Sequence, residues 1–266
     1  MNIPGFKPSG GCGGGCSSKK LGNENGAEMH RRDVLKSGAA LATVSLAPGV
    51  TLMAMGSGVA AAPANPDTRW GLLIDAGKCP SDCSACVTAC SDEHGWENNG
   101  LDTDPQWIRK VTVRNKTTGW ENTMPVMCQH CEDPPCVDVC PTGASFKRAD
   151  GIVLVDRHTC IGCRYCMMAC PFKARSLVHE PVTDQKVTTP RGAGTVEGCN
   201  MCVHKLDRGD GTTACVEACN ATGNNAMIFG DMNDPESDIS KALASYPSIE
   251  LRADLGLNLG VRYQNI

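Results

Sequence analysis

The chain has 266 residues, enough for one sizeable domain or two small ones. Only 4% of it is aromatic, while Gly (29) and Pro (16) are abundant, which points to loops wrapped around something bulky in place of a large apolar core. Its net charge of −4 excludes nucleic acid as a partner.

Residues 1–28 are Gly/Ser-rich and carry Cys12-x3-Cys16. They read as a long n-region, or as sequence upstream of a true start at Met29, and these two cysteines are given no ligand role. His30-Arg31-Arg32-Asp33-Val34-Leu35-Lys36 fits a twin-arginine export signal, with an ordinary amphipathic helix bearing two arginines as the rival reading. A weakly apolar stretch follows from Gly38 to about Ala62, and Ala62-Pro63-Ala64 offers a cleavage site before Asn65. No run of 18 apolar residues occurs, so the mature chain is expected to have no transmembrane span of its own. Losing this leader would leave 19 basic against 26 acidic residues, a net charge of −7.

Sixteen of the eighteen cysteines fall into four runs beyond the leader. Trp70–Asp75 reads as a strand feeding the first, Cys79-x3-Cys83-x2-Cys86-x3-Cys90. Trp107–Arg114, a turn at Asn115–Gly119 and a return toward Val126 predict a hairpin with one face covered. The second run is Cys128-x2-Cys131-x4-Cys136-x3-Cys140-Pro141, followed by Ala144–Lys147, a turn at Asp150-Gly151 and a strand over Ile152–Asp156. The third, Cys160-x2-Cys163-x2-Cys166-x3-Cys170-Pro171, has the spacing in which three thiolates hold one [4Fe–4S] cluster and the fourth reaches a second. A closing strand is expected at Arg175–Glu180. The fourth run, Cys199-x2-Cys202-x12-Cys215-x3-Cys219, replaces the second short gap by a loop. Ala226–Asp231 resembles the stretch after the third run. Asp234–Tyr246 reads as a helix with Asp234 as N-cap and Pro235 at N1, and Ile249–Ile266 as an irregular tail packed on the domain.

Short C-x2-C gaps point two soft sulfur ligands at one inorganic body, which suits iron–sulfur or zinc. A zinc site closes with two such pairs and gives no reason for four-cysteine runs ending in proline. A disulfide scaffold suits short chains and needs no repeated ligand spacing. Cys79-x3-Cys83-x2-Cys86 also matches the triad of radical-SAM enzymes, although Cys90 and three companion runs stand against that reading. Sixteen thiolates match four [4Fe–4S] clusters, so the chain reads as a wire for single electrons with no catalytic residues. Basic side chains near the runs (Arg164, Lys147, Arg148, Lys173, Arg175, Lys205 and Arg208) offset cluster charge or are simply solvated. His130 and His204 are candidates for ligands or proton carriers, but with sixteen cysteines sufficient they are expected to be solvent-facing or hydrogen-bonding.

The leader and the four runs resemble the iron–sulfur subunits of dimethyl-sulfoxide-reductase and polysulfide-reductase type complexes over nearly all of residues 69–235. Met127–Cys136, Pro141–Gly151, the run around Cys160, Gly230–Glu236 and Val261–Ile266 are similar to the periplasmic iron–sulfur subunit of the transmembrane complex associated with dissimilatory sulfite reductase. That resemblance implies an α+β fold of two intertwined ferredoxin-like dicluster units, loop-rich, with short β-hairpins. The leader would be residues 1–64 and the electron-transfer domain 65–266. Within it the inner unit would span about 120–181, the outer 69–95 plus 195–235, and a C-terminal helix and tail 234–266. It also implies shared ligand sets: Cys79, Cys83 and Cys86 with Cys219; Cys199, Cys202 and Cys215 with Cys90; Cys128, Cys131 and Cys136 with Cys170; Cys160, Cys163 and Cys166 with Cys140. The extra residue between Cys79 and Cys83 departs from the commoner gap. The implied setting is the periplasmic face of the cytoplasmic membrane, reached by the twin-arginine route. Electrons would pass there between a multi-span quinone-interacting subunit and a redox partner such as a multihaem cytochrome c. The alternative is the same role in a molybdopterin oxidoreductase of polysulfide, tetrathionate or dimethyl sulfoxide type.

Overall fold

The computed structural model describes residues 44–47, 50–52 and 64–266. Arg31-Arg32, Cys12 and Cys16, and Ala60–Pro63 of the cleavage region lie outside the described residues. A small antiparallel hairpin, β1 (Val44–Ala47) with β2 (Val50–Leu52), belongs to a unit of its own, Met1–Gly58. The second unit, Val59–Ile266, holds all sixteen cysteines of the four runs.

In that unit β3 (Trp70–Asp75) buries Leu72, Leu73 and Ile74 on both faces. A strand apolar on both sides must be covered on both sides, and so it is central. After it come helix α1 (Ala85–His94), the hairpin β4 (Ile108–Arg114) and β5 (Glu121–Met127), and the short helix α2 (Pro135–Asp138). The hairpin turn is made by Asn115, whose Oδ1 accepts from the N–H groups of Thr117 and Thr118 at 2.9 and 3.2 Å. A second hairpin, β6 (Ser145–Lys147) with β7 (Val153–Val155), leads to helix α3 (Tyr165–Ala169). Next are β8 (Ser176–Leu177) with β9 (Val196–Glu197), helices α4 (Val203–Arg208) and α5 (Ala214–Ala221), and strand β10 (Met227–Asp231). Helix α6 (Asp238–Ser245) and strand β11 (Val261–Gln264) end the chain.

β10 lies antiparallel to β3 (Phe229 opposite Leu72), and β11 lies parallel on its other edge (Val261 opposite Leu72). Trp96, Trp107, Ile108 and Tyr263 complete the main core around this sheet. The architecture is therefore a mixture of small helices and short sheets joined by long loops, as expected of an α+β chain. Among the described residues no helix is long and apolar enough to cross a membrane.

Two local expectations are corrected. The last helix begins at Asp238 with Ser237 as its N-cap, whose Oγ accepts from Ser240 N–H at 3.2 Å. Asp234 instead makes a turn, its Oδ1 accepting from Glu236 N–H at 2.9 Å. The tail is not wholly irregular, since β11 joins the central sheet and buries Val261 and Tyr263. Alternation of buried and half-buried residues along Val261–Gln264 is the strand signature.

Candidate metal centres

Helices of one to three turns bring the cysteines of different runs together. In α1 the thiols of Cys86 and Cys90 are four residues apart, so they lie on one face about 6 Å apart along the axis. Helix α5 places Cys215 and Cys219 in the same way, and α1 packs against α5. One cavity is lined by Cys79, Cys83, Cys86 and Cys219. The next is lined by Cys90, Cys199, Cys202 and Cys215. The two helices thus traverse the two cavities in opposite order. The second and third runs repeat this arrangement through α2, which packs against α3. Cys128, Cys131, Cys136 and Cys170 line one cavity, and Cys140, Cys160, Cys163 and Cys166 another. Cys128 also lines the cavity of Cys90, Cys199, Cys202 and Cys215, where the two pairs of cavities meet. The structure thereby brings together the four groups of four cysteines that the resemblance implied.

The backbone explains why the short gaps work. In three of the four runs the residue just before the second cysteine of a C-x2-C pair has positive φ: His130 (44°), Gly162 (67°) and Met201 (52°). A left-handed residue at this point lets the chain turn sharply between the two cysteines. Gly162 has a second reason to lack a side chain, because a Cβ there would lie 2.1 Å from the Gly194 carbonyl oxygen. The longer Cys79–Cys83 gap is held differently. Lys110 Nζ donates to the carbonyls of Pro80, Ser81 (3.2 Å) and Cys83 (2.7 Å), fixing the extra residue from outside the loop.

The donor set decides which group fits. None of these sixteen cysteines is bridged. Among the described residues no three His, Cys, Asp or Glu side chains approach closely enough to share a single metal ion. Tetrahedral zinc needs all its sulfurs about 2.3 Å from one ion, so a larger body held by outlying thiolates fits each quartet better. Burial, reinforced by neighbouring thiols, pushes Cys86 and Cys131 up to about 12. Burial also raises Cys202 to about 12. Metal binding at these thiols must therefore be accompanied by release of their protons. The triad Cys79, Cys83 and Cys86 has Cys219 as a fourth thiol, which leaves no open position of the radical-SAM kind.

Polar hydrogens point at the sulfurs, and they differ between cavities. Ser145 N–H donates to Cys140 Sγ at 3.3 Å, and Val196 N–H to Cys160 Sγ at 3.4 Å. Burial alone would raise the Cys140 thiol, but hydrogen bonds from Ser145 and Thr142 draw it below its ordinary value. Arg175 Nη2 donates to Cys136 Sγ at 3.2 Å. Burial acts to lower the Arg175 pKa, yet Cys136, Cys128 and Cys166 outweigh it and hold the guanidinium firmly charged. Trp96 Nε1 donates to Cys90 Sγ at 3.4 Å, His94 Nε2 lies 3.4 Å from Cys202 Sγ, and Thr213 Oγ1 lies 3.3 Å from Cys215 Sγ. Asn224 Nδ2 donates to Cys83 Sγ at 3.7 Å. Buried polar atoms without a protein partner also sit on residues lining the cavities: Ser145 Oγ, Arg175 Nη1 and His130 Nε2. Orphaned polar atoms of this kind fit a sulfur-rich acceptor inside these three cavities.

Of the basic residues considered from sequence, Arg175 and Lys205 are buried, which corrects the solvated reading for these two. Lys205 serves Glu217 (2.7 Å), Arg148 bridges Asp150 and Asp207, and Lys147 pairs with Glu132. Arg208 pairs with Asp210 at the surface, while Arg164 and Lys173 occupy positive-φ positions in the third run's loops. His130 and His204 are hydrogen-bonded rather than solvent-facing: Val153 N–H donates to His130 Nδ1 (3.0 Å), and His204 Nε2 meets Glu93 Oε1 (2.6 Å). Sequence reasoning passed over His94, Trp96, Lys110 and Asn224. Each lies far along the chain from, or outside the spacing of, the run it serves.

A model of the 4Fe-4S dicluster domain matches residues 120–232. The chain is 39% identical to Hdr-like menaquinol oxidoreductase iron-sulfur subunit 1 of Archaeoglobus fulgidus, over 74% of this chain and 84% of that protein. It is also 39% identical to one of the subunits of the sulfite dehydrogenase of Allochromatium vinosum, over 71% of this chain and 80% of that protein. One of the subunits of the tetrathionate reductase of Salmonella typhimurium is 37% identical over 67% of this chain and 64% of that protein.

Proposed function

The chain belongs to the family of iron–sulfur subunits that carry electrons in multi-subunit oxidoreductases and is not itself the catalytic enzyme, and we propose that it binds four [4Fe–4S] clusters. The observation that carries this number is the quartet of cavities, each lined by its own four thiols, with Cys128 of the third also bordering the second. Bound there, the clusters supply reversible one-electron chemistry. This chain's own residues set the order of the sites. Cys86 and Cys90 on α1, and Cys215 and Cys219 on α5, join the two outer cavities. Cys128 adjoins both the second and the third, and α2 and α3 join the third to the fourth. Successive sites are thus separated by about one helical turn or a shared wall. The proposed ligand sets are Cys79, Cys83, Cys86 and Cys219; Cys90, Cys199, Cys202 and Cys215; Cys128, Cys131, Cys136 and Cys170; and Cys140, Cys160, Cys163 and Cys166.

We infer that the complex works on the periplasmic face of the cytoplasmic membrane in dissimilatory sulfur metabolism. A multi-span quinone-interacting subunit would stand at one end and a redox partner such as a multihaem cytochrome c at the other. Support comes from the relative named for menaquinol oxidation and from the Arg31-Arg32 signal. A protein that acquires clusters in the reducing cytoplasm must cross the membrane folded, which is the use of a twin-arginine signal. A second reading, service to a molybdopterin oxidoreductase, is favoured by the relative named for tetrathionate reduction.

Anaerobic isolation of the complex tests both parts. About sixteen iron and sixteen sulfide per chain are expected, four of each for every cluster. About eight of each would overturn the four-cluster reading. Co-purification with a multi-span subunit and a haem protein supports the first setting, and a pterin-bearing partner the second.

A further inference from the structure

His130 lies between Cys128 and Cys131, yet it lines the neighbouring cavity, that of Cys90, Cys199, Cys202 and Cys215. Its side chain is 1% exposed. The tautomer follows from its partners. Val153 N–H is a donor, at 3.0 Å, so His130 Nδ1 must be the acceptor and carries no proton. With Nδ1 bare, the ring's N–H is on Nε2. That Nε2–H is buried and has no protein partner. An unmet buried donor costs about 1–3 kcal/mol, which a folded protein rarely leaves uncompensated.

Three other side chains converge on the same cavity. Trp96 Nε1–H reaches Cys90 Sγ, Thr213 Oγ1 lies beside Cys215 Sγ, and His94 Nε2 lies beside Cys202 Sγ with Nδ1 3.3 Å from Thr189 Oγ1. The cavity with Cys83 receives one amide donor, that with Cys136 one guanidinium, and that with Cys140 mainly backbone N–H groups. Donors to cluster sulfur favour the more negative, reduced state and raise the potential.

We propose that His130 is a positioning and tuning residue for the cluster of the adjacent cavity, donating from Nε2–H to that cluster's sulfur across the boundary between the two pairs of cavities. The proposal rests on the four-cluster reading above. It makes the second site in the row the one most enriched in side-chain donors, and it ties that site to the loop that holds the third. His130 occupies a left-handed backbone conformation (φ 44°), which Asn adopts more readily than most residues.

The test uses the anaerobically purified complex with histidine labelled with nitrogen-15. Iron is counted first, so that a value near eight signals failure of the four-cluster reading and not of this one. With about sixteen iron per chain, pulsed EPR of the reduced cluster with the donor-rich cavity is expected to show weak coupling to two imidazole nitrogens, from His94 and His130. His130→Asn should remove one coupling. It should also lower that cluster's equilibrium constant for reduction about tenfold, roughly 59 mV for one electron, and leave the other three unchanged. Labelled wild-type protein that couples only one imidazole to this cluster, or a His130→Asn protein of full iron content that keeps both couplings and the original potential, overturns the proposal. Should the variant lose iron, the wild-type couplings still decide.

Discussion

The inner pair of cavities and the outer pair have the same cysteine count but are built by opposite means. The inner pair draws on residues 128–170, two compact runs joined by a hairpin, each ending in Cys-Pro. The outer pair joins residues 79–90 to 199–219, segments brought together by the β3–β10 pairing, the packing of α1 on α5 and long-range contacts such as Glu93 with His204. The donors follow the same division. Inner sulfurs are met mainly by backbone N–H groups, with the Thr142 hydroxyl and one buried arginine, while outer sulfurs add indole, imidazole, hydroxyl and amide side chains to their backbone contacts. Local sequence can build a site whose donors are backbone. A site closed over a long loop must take its donors from side chains that the fold delivers.

The largest effect should come from pulling the two pairs apart with denaturant. Closing the outer loop, about three times longer, costs about 1 kcal/mol more entropy, and the outer pair has no local frame to resist opening. In anaerobic urea, about eight of sixteen iron atoms per chain are expected to leave first. Tryptophan emission should change in the same step, because Trp96 and Trp107 are packed in the outer core. Iron lost in one cooperative step would erase the distinction between the pairs. Next in size is Arg175→Met. It removes a buried cation from between Cys136, Cys128 and Cys166, and stripping the counter-charge from a buried site costs about 3–5 kcal/mol. Denaturant-induced iron release should then begin with the inner pair, and two of the four reduction steps should move to lower potential.

Legibility in the sequence divides along the same line. The spacings singled out the sixteen cysteines that line the four cavities, and turn residues marked the hairpins β4–β5 and β6–β7, because both are local signals. Grouping the cysteines into fours came from resemblance, since no spacing says that Cys90 faces Cys199. Donors such as His94 were illegible for the same reason: it lies 108 positions from Cys202, and nothing in a run of residues marks that approach. Arg175 looked like any basic residue near a run, and only burial distinguishes it from Arg208. The start of α6 was misread because Asp234-Pro235 has the local form of a cap. Ser237, whose Oγ–H also donates to Asp231 O at 2.6 Å, is held against the sheet and takes that place. The strand in the tail needed β3 as a neighbour, which is a tertiary fact.

Lys110→Met probes the outer pair alone. Its ammonium anchors three carbonyls of the Cys79–Cys83 loop, and losing a charged donor to them should cost about 1–3 kcal/mol. The expected outcome is faster loss of about four iron atoms per chain under chelation, with the inner pair unchanged. If the inner pair lost iron as well, the loop could not be an independent weak point.

The smallest expected effect is that of Trp96→Phe. The indole is 1% exposed, and phenylalanine keeps most of its buried ring while removing one N–H. That N–H meets Cys90 Sγ at 3.4 Å, a long hydrogen bond to a soft acceptor, so its loss should cost about 1 kcal/mol or less. Reduction adds negative charge to the sulfur side of this bond, so the reduced state loses more than the oxidised one and the potential falls. Because 59 mV corresponds to a tenfold change for one electron, the shift should stay below that value. EPR-monitored redox titration of the complex should find it in a single cluster with the iron content intact. A shift in a cluster of the inner pair would mean that Trp96 acts through the fold and not through its hydrogen bond. Side-chain donors would then lose their standing as the outer pair's substitute for local backbone.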